Sequence, residues 1–230
     1  MKTIVFSLGG SLIVPGEIDT DFLKKFRKFV RRLDGYRVII VTGGGALCRK
    51  YNDAAKTICS PADYELDKMG IAATKINAEL VRLLFEEEAY EYIVSDPTKE
   101  IHTDKRIIVA SGYKPGNSSD KVAVMLGIKF NAESVVNMTN IDVVYDSDPK
   151  ENSGASPLDN VSWEEFLEIT GTEWKPGKNV PFDPVASQLA KENNISVVII
   201  NGKDLENLEN CINGKDFKGT LIGASKEAKN

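Results

Sequence analysis

Five short runs, residues 3–8, 37–41, 107–110, 134–136 and 196–200, consist almost entirely of β-branched and apolar residues and show little alternation with polar ones. A strand with one wet face alternates, whereas a strand buried on both faces does not, and such strands belong mainly to parallel sheets covered by helical crossovers. The segment between the first two runs fits that demand. Phe22, Phe26, Val30 and Leu33, with Leu23 beside them, recur at helical spacing opposite Lys24, Lys25, Arg27 and Arg31, and Asp34-Gly35 supplies a stop. Further helices are expected over residues 46–56, 66–88, 120–126, 163–169, 184–193 and 205–212. Strands alternating with helices predict an α/β chain with a mostly parallel sheet covered on both sides. Residues 142–160, rich in Asp, Ser, Asn, Gly and Pro, are too many for an ordinary connection and predict a functional loop or a small hairpin excursion. Even composition and the lack of a linker favour one domain over residues 1–224, with 225–230 as a disordered tail.

Composition excludes several classes of function. The 29 Lys and Arg against 34 Asp and Glu give a formal charge of −5, and the cations are spread along the chain, so nothing in it suggests a nucleic-acid partner. Any phosphate ligand must be held by a local site. Cys48, Cys59 and Cys211 are three scattered residues without paired spacing, which argues against a disulfide framework or a structural zinc and suggests a reducing, cytoplasmic setting. His102 is the single histidine, so triad chemistry would hang on one residue in a polar stretch. No apolar run reaches the length of a membrane span, and the N-terminus enters a strand-like run without a signal-peptide pattern.

Two glycine clusters carry the strongest chemical signal. Ser7-Leu8-Gly9-Gly10-Ser11 and Thr42-Gly43-Gly44-Gly45 each leave a strand run and open a polar or helical segment. Without a Cβ the backbone can approach an anion closely, and amides at a helix start favour negative charge. In an open parallel sheet ligands bind at the carboxyl ends of the strands, where both clusters fall. Neither has the P-loop or dinucleotide-binding pattern. Arg49, soon after Gly45, could close a guanidinium fork over a phosphate held there. A third segment runs from Gly112 through Pro115, Gly116, Asn117, Ser118 and Ser119 to Asp120, with Ser119 or Asp120 as a natural helix cap. A fourth, from Met138 to Pro149, offers amide, hydroxyl, carboxylate and phenol groups suited to a nucleoside. A fifth, Lys175-Pro176-Gly177-Lys178 followed by Phe182-Asp183-Pro184, is a basic loop before a helix.

In this order the five segments resemble the amino-acid-kinase superfamily and, within it, the uridylate (UMP) kinases of archaeal type. Gly9-Gly10-Ser11 is similar to that family's nucleotide loop, and Gly43-Gly44-Gly45 with Arg49-Lys50-Tyr51 to its acceptor-phosphate loop. Asp67-Lys68-Met69-Gly70 resembles the segment whose aspartate holds the acceptor ribose. Residues 115–120 match Pro-Gly-His-Thr-Thr-Asp, with Asn117, Ser118 and Ser119 in place of His-Thr-Thr. Residues 139–149 match Thr-Asn-Val-Asp-Gly-Val-Tyr through Asp-Pro, with Val143 in place of the glycine. Gly219-Thr220-Leu221-Ile222 resembles the closing strand, and Ser7 stands where bacterial relatives carry lysine.

The resemblance implies a three-layer αβα sandwich of the amino-acid-kinase or carbamate-kinase type, assembled as a homohexamer. It also implies transfer of the ATP γ-phosphoryl to UMP, giving UDP for pyrimidine nucleotide biosynthesis. ATP and Mg²⁺ would be the cofactors, the metal arriving on the phosphates with no protein ligand expected. Asp120, Lys175 and Arg49 would be catalytic. Gly9, Gly10, Ser11, Thr139, Asn140, Tyr145 and Asp148 would bind ATP, and Gly44, Gly45, Arg49, Asp67, Gly112, Asn117, Ser118 and Ser119 would bind UMP. The residues themselves leave open a kinase for another small phosphate or carboxylate acceptor, or a non-catalytic nucleotide- or oxyanion-binding relative.

Overall fold

The strand at the N-terminus, β1 (Lys2–Leu8), feeds two cores at once: Ile4, Phe6 and Leu8 enter one, and Val5 enters the other. That period of two, with apolar residues at both phases, makes the run continuous in sequence. The computed structural model describes residues 1–149, 151–171 and 180–223.

After β1 a single turn, α1 (Gly10–Ile13), leads to α2 (Thr20–Arg32), whose N-cap Asp19 accepts a hydrogen bond from the Phe22 amide at 2.9 Å. Phe22, Leu23, Phe26, Phe29 and Val30 of α2 are buried, and Phe26 meets Phe6 edge-on with ring centroids 6.2 Å apart. Then come β2 (Tyr36–Thr42), α3 (Gly45–Ile58), α4 (Asp63–Leu83), β3 (Ile107–Ala110), α5 (Ser119–Lys129) and β4 (Ser134–Thr139). The hairpin β5 (Val144–Tyr145) and β6 (Pro157–Leu158) is followed by β7 (Asn160–Val161), α6 (Trp163–Thr170), α7 (Pro184–Glu192), β8 (Ser196–Asn201), α8 (Leu205–Ile212) and β9 (Thr220–Ile222).

Among the described residues the main sheet has seven strands in the order β3-β2-β1-β4-β8-β9-β7. β1, β2, β3, β4 and β8 are mutually parallel, and β9 runs antiparallel to β8. Residues of α2, α4 and α8 fill the core on one face, while α5, α6 and α7 fill the other, which makes three layers. Chain order reverses at β1: β2 and β3 add on one side and β4 and β8 on the other. The crevice outside that switch point is the favoured ligand position in such sheets.

Three expectations need correction. The helix expected over residues 66–88 ends at Leu83, because Phe85 turns into the core and Glu86 adopts a left-handed backbone (φ 51°) that an α-helix cannot carry. The glutamates that follow form a short 3-10 turn, Glu86–Glu88, paired with Arg27 and Arg31 of α2 at 2.8 and 2.6 Å. The first glycine cluster opens one turn rather than a full helix, since Val14 precedes Pro15 and leaves helical geometry. The cap of α5 is Ser118, whose Oγ accepts from the Lys121 amide at 3.1 Å, and not Ser119 or Asp120.

The described residues of 142–160 form the expected hairpin excursion, in which β5 pairs with β6 and the Val144 amide donates to Thr220 Oγ1 of β9 at 2.9 Å. Val143, buried beside it, is not among the residues with positive φ, so the valine sits there without backbone strain. Among the described residues no helix is long and apolar enough to cross a membrane. The expected tail at 225–230 lies outside the described residues.

Candidate active site

The two glycine clusters touch. A Cβ built on Gly10 would lie 2.1 Å from the Gly45 amide nitrogen and 2.6 Å from the Gly43 carbonyl carbon, and one built on Gly45 would lie 2.2 Å from the Gly10 carbonyl oxygen. These contacts are backbone on backbone, so no side chain can be accommodated by a rotamer change. Gly45 also has φ +62°, a conformation that favours glycine. The loops that leave β1 and β2 are thus held in direct contact at the switch point. The amides of Gly10, Ser11, Gly44 and Gly45 have no acceptor among the described residues, which leaves four donors where the two loops meet.

Helix α4 braces this contact from one side. Asn77 Nδ2 donates to the carbonyls of Gly43 and Gly44 at 2.8 and 3.2 Å, and Thr42 Oγ1 donates to the Thr74 carbonyl at 2.9 Å. Thr74 Oγ1 in turn accepts from the Gly112 amide at 2.8 Å, tying the segment after β3 to the same helix.

Between α3, α4 and the segment after β3 lies a cavity of about 180 Å³. Gly44, Asp67, Gly112, Asn117 and Ser119, five of the residues expected to bind the acceptor, line it, together with Cys48, Asn52 and Thr74. Asp67 Oδ2 accepts from the Gly116 amide at 2.9 Å and so fixes the loop on the far wall. Gly45 borders this space through its contact with Gly10 without lining it, and Ser118 is spent as the cap of α5. Arg49 is exposed, one turn into α3, and makes no hydrogen bond or ion pair among the described residues. The expected guanidinium fork is therefore not preformed on protein groups, which leaves the side chain available to an anion. Burial holds the Cys48 thiol above its usual range, so it presents a neutral wall.

Asp120, in the first turn of α5, is clamped by two donors: Ser7 Oγ to Oδ1 at 2.9 Å and the Asp183 amide to Oδ2 at 3.3 Å. Burial pushes its pKa up to about 6; the Ser7 hydrogen bond opposes this, the Asp183 charge adds to it, and the Asp183 amide opposes it again. The resemblance implies that Asp120 is catalytic together with Lys175 and Arg49. Among the described residues its hydrogen-bond partners are a hydroxyl and an amide, and Lys175, the cation expected to share that place, lies outside them.

Thr139, Asn140, Tyr145 and Asp148 lie on the β4 side of β1, away from the cavity. Thr139 Oγ1 donates to Asn140 Oδ1 at 3.3 Å, Tyr145 is in β5, and the Asp148 carbonyl accepts from Glu151 and Asn152 in the hairpin turn. Gly9 joins this side to the glycine contact, its amide donating to the Met138 carbonyl at 2.9 Å.

This arrangement, with two touching glycine loops at the reversal of a parallel sheet and a cavity beside one of them, invites comparison with known proteins. The model of the amino acid kinase family matches residues 2–201. The chain belongs to the amino acid kinase family. Among curated members it is similar to a uridylate kinase of Thermococcus sibiricus, at 37% identity over 95% of this chain and 98% of that one. A uridylate kinase of Thermococcus kodakarensis is 36% identical over the same shares. Among solved structures it is similar to the uridylate kinase of Archaeoglobus fulgidus, with a TM-score of 0.82 and 31% identity over 96% of this chain and all of that one.

Sequence reasoning missed several groups around this amino acid kinase site. Asn77 and Thr74 lie in a helix whose pattern signals only amphipathicity, and their bonds to the glycine loops span more than 30 residues. Cys48 and Asn52 could have been found, since both follow Gly45 on one face of α3, at helical spacing from Gly44. Nothing in the sequence pointed to the Ser7 to Asp120 bond across 113 residues.

Proposed function

We propose that the protein is a uridylate kinase, transferring the γ-phosphoryl group of ATP to the phosphate of UMP to give ADP and UDP. One observation supports this most directly: a cavity of about 180 Å³, lined by Gly44, Asp67, Gly112, Asn117 and Ser119 together with apolar Leu66 and Ile71, opens beside a second glycine loop in backbone contact with the first. A kinase that joins two polyanions needs the two held side by side. The names of the relatives at 36–37% identity point to the same reaction.

In the transfer, a UMP phosphate oxygen attacks the γ-phosphorus, the bond to the β-phosphate bridging oxygen breaks, and ADP leaves. The transition state is loose, so the protein acts by positioning and by charge stabilisation. The amides of Gly10 and Ser11, beside Gly9, donate to the ATP phosphates, while Thr139, Asn140, Tyr145 and Asp148 frame its nucleoside. The amides of Gly44 and Gly45 and the free guanidinium of Arg49 hold the UMP phosphate. Asp67, with one carboxylate oxygen on the Gly116 amide, offers the other to the ribose, and Gly112, Asn117 and Ser119 complete the acceptor wall, with Ser118 capping the helix behind it. Asp120 orients the cationic groups at the centre, with Lys175 contributing charge to the transferring group.

The groups assigned to the phosphates, backbone amides with Arg49 and Lys175, suit Mg²⁺ that arrives already bound to the phosphates. Such a metal neutralises phosphate charge. We place the enzyme in the cytoplasm, in pyrimidine nucleotide biosynthesis, as one domain over residues 1–224. Exposed Tyr51 and Ile58 on α3, and Tyr64, Ile76 and Leu83 on α4, support burial of that face in a homo-oligomer, a hexamer by analogy with the family.

A coupled ADP-release assay across nucleoside monophosphates and small carboxylates tests the reading. Turnover should be highest with UMP; turnover with a carboxylate and none with UMP overturns it.

A further inference from the structure

Ser7 breaks the apolar end of β1, where it is 2% exposed between Phe6 and Leu8. A buried hydroxyl costs stability unless it is hydrogen-bonded, and this one donates to the Asp120 carboxylate at 2.9 Å. The bond joins β1, two residues before Gly9, to the first turn of α5, which forms one wall of the acceptor cavity. The other Asp120 oxygen is held from the entry to α7, and that entry is itself fixed. Asp183 Oδ1 accepts from the Ala186 amide at 2.7 Å, and the Pro181 carbonyl accepts from Asn137 Nδ2 at 3.0 Å. Asn137 is the β4 partner of Ser7 in the sheet register. Three elements thus converge on one carboxylate, and the only side chain among the described residues that donates to it is Ser7.

We propose that Ser7 is a positioning residue for phosphoryl transfer, its hydroxyl fixing the orientation of the Asp120 carboxylate beside the carboxyl end of β1. This rests on the reading of Asp120 as catalytic in uridylate kinase activity. A donor aimed at a carboxylate favours its charged form. Without Ser7, burial and the neighbouring Asp183 charge both favour protonation, opposed only by the Asp183 amide. Among the described residues Asp183 is the charged group that α7 sets against Asp120. The strands under α5 present Ser7 and Asn137 among apolar neighbours, and Lys121 follows on α5 itself.

Ser7→Ala and Ser7→Thr test the proposal in the full chain, with kcat and KM for UMP measured from pH 5 to 9 at saturating ATP and Mg²⁺. Ser7→Ala should move the acid limb of kcat up by about one pH unit, a loss of about fivefold at pH 6 that shrinks at pH 8, with KM for UMP within twofold. Ser7→Thr should restore the wild-type limb. An unmoved limb in Ser7→Ala, or a loss equal at all pH values, overturns the proposal. If the wild-type protein phosphorylates no UMP, the functional reading fails on its own, and thermal melts carry the test of Ser7. The Ser7→Ala loss of Tm should be larger at pH 8 than at pH 4, and a pH-independent loss overturns the clamp.

Discussion

Replacing Asp120 by asparagine should stabilise the protein while stopping its chemistry. The carboxylate titrates at about 6 in the folded state against 3.8 for an unperturbed aspartate, chiefly because it is buried. Between those values the folded chain binds more protons than the unfolded one, so stability falls as pH rises through that window. At about 1.4 kcal/mol per unit, the ionised carboxylate costs about 3 kcal/mol at pH 7 and above, and well under 1 kcal/mol at pH 4. Asparagine removes that cost and keeps both bonds: Oδ1 can accept from the Asp183 amide while Nδ2 donates to Ser7 Oγ. It also relieves the repulsion from Asp183. For a domain of this size the gain corresponds to a Tm rise of roughly 5–10 °C at pH 8, fading towards pH 4. Urea and thermal denaturation of both proteins at pH 4, 6 and 8 measure it, and ADP release with UMP should fall by at least a hundredfold in the same variant. A Tm difference independent of pH would refute the burial argument, and near-normal turnover would remove Asp120 from the mechanism.

Gly45→Ala forces a methyl group 2.2 Å from the Gly10 carbonyl at φ +62°, so the loops must part; kcat should drop by about a hundredfold with both KM values raised. Gly35→Ala is the control: its φ is +79° but nothing lies within 4 Å, so denaturation should show a loss of about 1–2 kcal/mol with kcat unchanged. Arg49→Ala should raise KM for UMP by about tenfold and leave stability within about 0.5 kcal/mol, since no protein partner is lost. Phe26→Ala, which empties the ring cluster with Phe6, Phe22 and Phe29, should cost about 3–5 kcal/mol in urea unfolding.

What could be read in the sequence was whatever one local stretch decides. The runs at 3–8 and 196–200 became strands because burial on both faces leaves its mark on every residue, and α2 followed from the spacing of its phenylalanines. The end of α4 was not legible: Glu86 to Glu88 are good helix formers by propensity, and the arginines of α2 that hold them in another conformation lie nearly 60 residues away. The lining of the cavity was legible through motifs, since Asp67, Gly112 and Asn117 each occupy a recognisable segment. Its bracing was not, because Asn77 and Thr74 act on backbone atoms that any sequence would supply.

The glycines show how the structure altered the meaning of a correct observation. Read singly, each cluster is a cradle in which a missing Cβ admits an anion. In the fold, the missing Cβ atoms of Gly10 and Gly45 admit each other's backbone, and the unbonded amides beside them are what remains for ligands. The two glycine loops are therefore one rigid unit, braced by α4, and their separation cannot adjust without breaking backbone contacts. Flexibility needed to admit two nucleotides must then come from the outer walls. One such wall, the segment after β3, is tied to α4 by the Gly116 amide to Asp67 and by the Gly112 amide to Thr74. Asp67→Asn, which keeps the shape and weakens the bond to Gly116, should accordingly raise KM for UMP several-fold while KM for ATP stays within twofold, because the glycine contact is untouched. An equal rise in both would mean that the two loops move with the wall, contrary to the rigidity their backbone contact requires.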